Sequence, residues 1–190
     1  MKTVKTELEG VLIIEPIVFY DNRGYFMEYY STRKLDTLGI SSVFVQDNLS
    51  HSRKINTLRG LHFQNNPRAQ AKIVRCARGK ILDISVDIRR GSPTYCKWVS
   101  IELSEDNFKQ VYIPSGFAHG FVTLTDDVEV QYKASDFYMP AYDRSIRWDD
   151  PDIGINWGIN TPILSDKDKI APFLRDSDCN FVWNGVNSDD

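Results

Sequence analysis

Three histidines occur in the chain, and His62 lies in a strand-like segment that also carries Arg59. An imidazole titrates near neutral pH and can therefore take up and release protons under physiological conditions. Beside a fixed cation, and without a second histidine nearby in the sequence, it indicates acid–base chemistry on an anionic substrate. A structural, hydrogen-bonded ring is the commoner role of a single histidine, and the local pattern leaves both roles open.

Polar side chains recur in strand-like segments, where half of the residues should face a barrel interior. Burying such groups is costly unless they pair with one another or with a ligand. Arg59, His62 and Lys72 interrupt otherwise apolar runs. A solvated outer face would accommodate individual polar residues, but as a group they predict a ligand-binding interior. The group consists of Arg23, Glu28, Gln46, Asp47, Asn48, Arg59, His62, Gln64, Gln70, Lys72, His119, Tyr132 and Lys133.

The elements that position these residues are mainly strands. Short runs rich in Val, Ile, Phe and Tyr alternate with turn residues, and strict alternation of apolar and polar residues is clearest over 80–88. The predicted strands are 11–19, 25–30, 43–47, 57–63, 70–78, 80–88, 97–103, 109–113, 117–124 and 128–134. One helix is predicted over 32–38, with Ser31 as N-cap and Gly39 as its stop, and one or two short helices between 162 and 174. Because long crossover helices are absent, the pattern favours an antiparallel barrel or jelly roll with a few short peripheral helices.

Length and composition predict one globular domain over 1–190, with its core at about 8–150 and C-terminal loops and short helices of 151–190 packing on it. A net charge of −3 gives no reason to expect nucleic-acid binding. No apolar run approaches the roughly 18 residues of a membrane span, and the acidic start is not a signal peptide. The three scattered cysteines predict reduced thiols in a cytoplasmic protein.

Motifs for several cofactors are missing from the sequence. No glycine-rich dinucleotide or P-loop motif occurs, so we expect no bound dinucleotide and no ATP-driven chemistry. The spacing of Pro114, Gly116 and His119 resembles the second motif of the cupins, which are small jelly-roll barrels. Metal-binding cupins also need a His-x-His pair and a downstream Glu, whereas His62 is followed by Phe63 and Gln64. The sequence therefore predicts no metal, and a metal-dependent cupin enzyme is the weaker alternative.

Nine separated motifs, between about Leu8 and Leu174, resemble one family, the dTDP-4-dehydrorhamnose 3,5-epimerases of deoxysugar biosynthesis. They are DNRGYFME (21–28), VQDN (45–48), LRGLHFQ (58–64), QAK (70–72), VDIR (86–89), IPSGFAHGF (113–121), YK (132–133), WDDPDIGI (148–155) and LSDKD (164–168).

The resemblance implies a cupin-like jelly roll that acts without a cofactor on a nucleotide-linked 4-keto-6-deoxyhexose. It implies that His62 is the catalytic base, that Tyr132 is the proton donor and that Lys72 lies beside the C4 oxygen. Asp168 would accept a hydrogen bond from the far nitrogen of His62 and fix its tautomer. A tyrosine with a pKa of roughly 10 is protonated at neutral pH and can deliver a proton.

For substrate binding the resemblance implies a larger set of residues around the nucleotide, the diphosphate and the sugar. Guanidinium groups suit phosphate oxygens, and aromatic rings suit the base. In related proteins the N-terminal strands cross to a second subunit, so the resemblance also implies a homodimer in which Arg23 and Glu28 serve the partner's pocket. The set is Arg23, Phe26, Glu28, Gln46, Asp47, Asn48, Arg59, His119, Tyr138, Asp143 and Lys167, with Asp143 standing where the family usually has a glutamate.

The leading hypothesis is an epimerase that inverts C3 and C5 of dTDP-4-dehydro-6-deoxy-D-glucose and gives dTDP-4-dehydro-L-rhamnose. An epimerase that inverts C3 only would keep His62 and Tyr132 and remains an alternative. A non-catalytic sugar-nucleotide sensor is a further alternative, which the presence of both residues disfavours.

Overall fold

The computed structural model describes residues 1–185. Its strands and helices, numbered in chain order, are short. They are β1 (Lys2–Lys5), β2 (Leu12–Glu15), β3 (Val18–Asp21), β4 (Gly24–Met27), α1 (Thr32–Thr37), β5 (Gln46–Ser52), β6 (Leu58–Gln64), β7 (Lys72–Arg78), β8 (Lys80–Asp87), β9 (Trp98–Ser104), β10 (Gln110–Ile113), β11 (Phe117–Thr123), β12 (Val128–Ala134), β13 (Asp143–Ser145), α2 (Asp166–Lys169) and a 3-10 turn (Leu174–Asp176).

The strands form two large antiparallel sheets and one hairpin. The six-stranded sheet has the order β1-β2-β10-β7-β12-β5, the five-stranded sheet has the order β13-β6-β11-β8-β9, and β3 pairs with β4. Apolar side chains from both large sheets form one buried cluster, which includes Val74, Leu103 and Val130. The predicted mainly-β, antiparallel jelly roll is confirmed.

The C-terminal segment covers the outer face of the five-stranded sheet. Ile146, Trp157 and Leu174 join the apolar residues of β6, β8 and β11 in a second buried cluster. As a result β8 is buried on both faces: Ile84 and Val86 meet the C-terminal segment, whereas Ile81, Asp83 and Ser85 point into the sandwich. The domain limits proposed from the sequence remain a prediction.

Most predicted elements occur near their expected bounds. Helix α1 begins after Ser31, whose side chain accepts a hydrogen bond from the Lys34 amide as an N-cap. The single strand expected over 11–19 is wrong, since Pro16 lies between β2 and β3 and has no amide hydrogen for a sheet. The strand expected over 43–47 is also wrong in its bounds, because β5 begins at Gln46. Strands β1 and β13 were not predicted.

A bulge in β6 decides which of its side chains face the inside of the sandwich. Arg59 pairs with Phe121 and His62 with His119, so three steps along β6 match two steps along β11. Gly60 takes up the extra residue at φ +135°, and a Cβ there would lie 2.5 Å from the Gly120 Cα. Because of the bulge, Arg59 and His62 both line the interior, although their spacing would otherwise put them on opposite faces.

Candidate active site

A cavity of about 530 Å³ opens between the two sheets and is bounded on one side by the segment that leads into α2. Most of the polar residues predicted to face an interior line it. Its lining residues are Ser50, Thr57, Leu58, Arg59, His62, Phe63, Gln64, Gln70, Lys72, His119, Phe121, Tyr132, Tyr138, Asp143, Ile163, Leu164, Ser165, Lys167 and Asp168.

The His62 ring is held by a buried carboxylate. Its Nε2 lies 2.6 Å from Asp168 Oδ1, and the second carboxylate oxygen accepts a hydrogen bond of 2.9 Å from Ser165 Oγ. Burial alone would raise the pKa of Asp168, but the hydrogen bonds from His62 and Ser165 outweigh it and hold that pKa below its usual range. Because a carboxylate can only accept, the neutral form of the ring carries its proton on Nε2 and its lone pair on Nδ1.

Ser165 positions Asp168 from the start of α2. As the N-cap, its hydroxyl oxygen accepts a hydrogen bond from the Asp168 amide at 3.1 Å, while the hydroxyl donates to the carboxylate of the same residue. Ser165 is not among the site residues predicted from the sequence. A serine three residues before an acidic residue is a capping signal that could have identified it.

Tyr132 reaches the cavity from β12, in the sheet opposite to that of His62. Burial, reinforced by the nearby Asp143 carboxylate, raises the pKa of this phenol above its usual value, although Arg59 opposes the shift. The hydroxyl is therefore protonated throughout the neutral range.

Lys72 enters from β7 and is almost fully buried. Burial lowers the pKa of its ammonium group to about 8, although the carboxylates of Asp143 and Asp83 act in the opposite direction. Its Nζ donates a long hydrogen bond of 3.5 Å to the carbonyl oxygen of His62. A cation is thus held next to the backbone of the residue predicted to be the base.

A second histidine–carboxylate pair lies beside the first. His119 pairs with His62 across β6 and β11, and its Nε2 lies 2.7 Å from Asp83 Oδ2. Burial raises the pKa of the Asp83 carboxyl despite the nearby His119 ring. This pair places His119 on the cavity wall, where the resemblance expects a substrate contact.

Arg59 extends from the bulge across to β5. Its Nε donates to Ser52 Oγ at 3.1 Å, and its terminal Nη2 donates to the His51 carbonyl oxygen at 2.9 Å. Among the described residues it has no carboxylate partner within ion-pair distance. Its charge is therefore available to an anionic ligand.

Tyr138, Asp143 and Lys167 meet on one wall of the cavity. Asp143 Oδ2 accepts from Lys167 Nζ at 2.5 Å and from the Tyr138 hydroxyl at 3.3 Å. Gln64, one of the polar residues predicted to face the interior, supports this wall: it accepts from the Met139 amide at 2.7 Å and donates to the Phe137 carbonyl oxygen at 3.2 Å. Gln70 donates to the Asp136 carbonyl oxygen at 2.7 Å.

Strand β5 turns alternate residues toward the interior. Gln46 donates to Asn48 Oδ1 at 2.9 Å and accepts from the Tyr138 amide at 2.9 Å, which connects it to the cavity wall. Asp47 lies on the other face, exposed, where Lys133 Nζ donates to it at 2.7 Å. The structure therefore does not bring Asp47 to the cavity.

Several buried polar atoms near the cavity have no hydrogen-bond partner within residues 1–185, among them Asn48 Nδ2, Ser50 Oγ and Asp83 Oδ1. Buried polar groups are normally paired. Of these three residues, only Ser50 lines the cavity.

Arg23, Phe26 and Glu28 belong to the β3–β4 hairpin and its continuation, and none of them lines this cavity. Arg23 is paired with Asp21 at 2.6 Å, and Glu28 with Lys34 at 2.8 Å. Phe26 is 71% exposed, so core packing does not account for it.

Within residues 1–185, no three or more His, Cys, Asp or Glu side chains are grouped so that they could hold a metal ion. The absence of a metal remains a prediction. None of the helices in this part of the chain has the length and apolar character needed to cross a membrane.

Comparison with known proteins identifies the family. The family model described as dTDP-4-dehydrorhamnose 3,5-epimerase matches residues 5–176. A dTDP-4-dehydrorhamnose 3,5-epimerase from Salmonella typhimurium is 51% identical over 176 residues, which cover 92% of this chain and 96% of the relative.

Solved structures that resemble this chain carry the same family name. The enzyme of that name from Bacillus anthracis, with TDP and pyrophosphate bound, has a TM-score of 0.89 at 44% identity and covers 90% of this chain and 98% of its own. A dTDP-6-deoxy-D-glucose-3,5-epimerase from Legionella pneumophila, in complex with dTDP-4-keto-L-rhamnose, has a TM-score of 0.87 at 40% identity. The match covers 92% of this chain and 93% of the Legionella chain. With sequence, fold and cavity in agreement, this chain belongs to the dTDP-4-dehydrorhamnose 3,5-epimerase family.

Proposed function

We propose that this enzyme inverts C3 and C5 of dTDP-4-dehydro-6-deoxy-D-glucose and releases dTDP-4-dehydro-L-rhamnose, without a cofactor. The C4 carbonyl of this sugar acidifies the protons on both neighbouring carbons. Inversion at either carbon needs a base on one face of the sugar ring and a proton donor on the other. The product supplies a step of deoxysugar biosynthesis.

One observation carries this proposal: His62 and Tyr132 line the same cavity from opposite sheets. A sugar ring between them has a base on one face and a phenol on the other. We assign to His62 Nδ1 the removal of the proton, because Nε2 is engaged by Asp168. We assign to Tyr132 the delivery of a proton to the opposite face, since its raised pKa keeps the phenol protonated.

Lys72 is assigned to the C4 oxygen. Removal of a proton from C3 or C5 moves negative charge onto this oxygen, and a cation fixed beforehand stabilises that charge without reorganising at the moment of reaction. Lys72 is buried next to the His62 backbone, which fits the role.

The other predicted binding residues in or beside the cavity are assigned to the nucleotide and the diphosphate. Arg59 and Lys167 supply positive charge, His119 supplies a second imidazole, and Tyr138 supplies a ring for the base. Gln46, Asn48 and Asp143 complete the polar contacts. Curated relatives with the double-epimerase name favour this function over the C3-only alternative.

A homodimer is part of the proposal. The β3–β4 hairpin presents exposed Phe19, Tyr20 and Phe26, a surface of the kind that a second subunit covers. In such a dimer Arg23, Phe26 and Glu28 would reach the partner's cavity. Mixing an Arg23→Ala variant with a His62→Ala variant and allowing subunits to exchange should restore activity that neither has alone; no restoration in a mixture shown to contain mixed dimers would contradict the arrangement.

The test of function is incubation with the dTDP-4-keto sugar in heavy water, with deuterium located by NMR. We expect label at both C3 and C5. Label at C3 alone would establish the C3-only alternative, and tight binding with no label would establish a sugar-nucleotide sensor. Activity retained after treatment with chelators is expected, and its loss would favour a metal-dependent cupin.

A cytoplasmic location is proposed with this function, and the three cysteines are free thiols in the structure.

A further inference from the structure

Residues 177–183 lie beyond the stretch that the family model matches, yet they are fastened to the outside of the cavity wall. The Asn180 side chain pairs with both backbone groups of Asn66: Oδ1 accepts from the amide and Nδ2 donates to the carbonyl oxygen, each at 3.0 Å. The Asn65 side chain donates to the Asp178 carbonyl oxygen at 2.9 Å and accepts from the Asn180 amide at 3.2 Å. Four hydrogen bonds thus join two short segments. We call residues 177–183 the C-terminal strap.

A bidentate ion pair adds a second attachment. Arg144 donates from Nε and from one terminal nitrogen to the two carboxylate oxygens of Asp178, at 2.6 and 2.7 Å. The other terminal nitrogen donates to the Ala141 and Asp143 carbonyl oxygens, each at 2.9 Å. The strap therefore holds the backbone on which Asp143 points into the cavity.

Both attachments act on residues that support the cavity wall. Asn65 directly follows Gln64, which holds the Phe137 carbonyl oxygen and the Met139 amide on either side of Tyr138. The Asn65 amide also donates to the Tyr142 carbonyl oxygen at 3.0 Å. Asn65, through its own hydrogen bonds and through its chain neighbour Gln64, therefore links the strap to both ends of the 137–142 segment.

The strap is anchored independently at its far end. The Phe181 side chain is buried, with its ring centroid 6.2 Å from that of Phe63. The Phe181 carbonyl oxygen accepts a hydrogen bond from the Arg90 amide at 3.1 Å. The Trp183 amide donates to the Arg90 carbonyl oxygen at 2.9 Å. Changes to the Asp178 and Asn180 side chains should therefore loosen the wall without detaching the strap.

The Arg144–Asp178 pair is too exposed to contribute much to the overall stability of the protein, so its role is to position the cavity wall. The two side chains are 30% and 61% exposed, and half-exposed ion pairs contribute little to overall stability. Asp178 and Asn180 can nevertheless restrict local motion of the cavity wall from its outer side. Such a restriction affects the affinity for a ligand more than it affects the free energy of unfolding.

We propose that Asp178 and Asn180 of the C-terminal strap are positioning residues, which hold Tyr138 and Asp143 in the geometry that binds the nucleotide part of the substrate. The ligand in this inference rests on the proposed function. The strap acts through Arg144, Asn65 and Asn66 and does not line the cavity itself.

The test compares the full-length chain with an Asp178→Ala/Asn180→Ala double variant. Calorimetric titration with dTDP should give a Kd raised about fivefold or more, and KM for the dTDP sugar should rise in parallel while kcat stays within about twofold. Amide hydrogen exchange should accelerate over 137–142. Val182→Ala is the matched control, because Val182 lies in the strap with an exposed side chain and should change none of these values. Asp178→Glu/Asn180→Ala, which keeps the carboxylate, should bind dTDP more tightly than the double alanine variant.

Unchanged dTDP affinity and unchanged exchange over 137–142 in the folded double variant would overturn the inference, as would a fall in kcat with no change in KM. An equal effect of Val182→Ala would do the same, since it would point to general loosening of the strap. Failure of the unaltered enzyme to bind dTDP or to exchange protons would instead contradict the proposed function, and faster exchange over 137–142 in the double variant would still report the positioning role.

Discussion

His62 Nε2 and Asp168 Oδ1 lie 2.6 Å apart although 106 residues separate them in the chain. His62 comes from the middle of β6, and Asp168 comes from a one-turn helix in the C-terminal segment. Folding that segment over the cavity is therefore what completes the pair. Asp168 is almost fully buried, whereas about a third of the His62 side chain is open to the cavity.

Replacement of His62 by alanine should abolish deuterium exchange at both carbons. No other lining residue is placed as this base is, so we expect a fall in exchange rate of at least about 10²- to 10⁴-fold, the range of general-base contributions. NMR of the sugar after incubation in heavy water gives the measurement. His51→Ala is the control: it removes an imidazole whose ring does not line the cavity. Near-normal exchange in His62→Ala would show that the base is another group.

Replacement of Asp168 by asparagine should preserve the shape of the pair and remove its charge. An amide oxygen can still accept from His62 Nε2, but it no longer stabilises the ring once the ring has gained a proton. We expect kcat to fall on the order of 10²-fold or more with KM little changed. Steady-state kinetics with the dTDP sugar measures this, and Asp166→Asn, at an exposed position of the same helix, is the control. Unaltered kcat would remove Asp168 from the mechanism.

The lowered pKa of Lys72 predicts that kcat/KM depends on pH. Its pKa is lowered to about 8 because burial disfavours the cation, so the positive charge is present below that pH and is lost as the pH rises through it. The value of kcat/KM, which reports the free enzyme, should fall on the alkaline side with an apparent pKa of about 8. In Lys72→Arg this fall should move to higher pH, because a guanidinium stays charged. A fall that stays at the same pH in Lys72→Arg would assign it to another group; Tyr132 does not account for it, since its pKa lies above the ordinary value of a phenol.

Tyr132→Phe should separate proton removal from product formation. The ring and its packing remain, but the hydroxyl that delivers the proton is lost. We expect product formation to fall about 10²-fold or more, while part of the exchange driven by His62 remains. Following product and label in the same reaction measures both. Tyr95→Phe, outside the cavity, is the control, and equal loss of both signals would argue that Tyr132 also serves in proton removal.

The pattern of short apolar runs between turn residues predicted most of the strands, because one face of most strands meets the core. It was less informative where a strand is buried on both faces: Asp83 and Ser85 look like the solvated side of β8, yet they point into the sandwich because the C-terminal segment covers the other side. The charged β1 lacks any such pattern, so its pairing with β2 could not be predicted.

Nine of the 19 residues that line the cavity were implied by the resemblance, and several placements depend on tertiary structure. Arg59 and His62 share a face because of a bulge, which residue spacing does not reveal. Asp47 was expected near the ligand with its neighbours, but β5 alternates and turns it outward. The contacts of Asn180 join residues that are 114 apart, so no local signal predicts them.

The close approach of Gly60 and Gly120 fixes the spacing of the two strands that carry His62 and His119 into the cavity. Where β6 crosses β11, backbone meets backbone, and a single added methyl group would collide. No side chain stands there for mutation to enlarge or trim. A side chain at either glycine would therefore displace the backbone that carries Arg59, His62 and His119, and would disturb the base and two binding residues in one step.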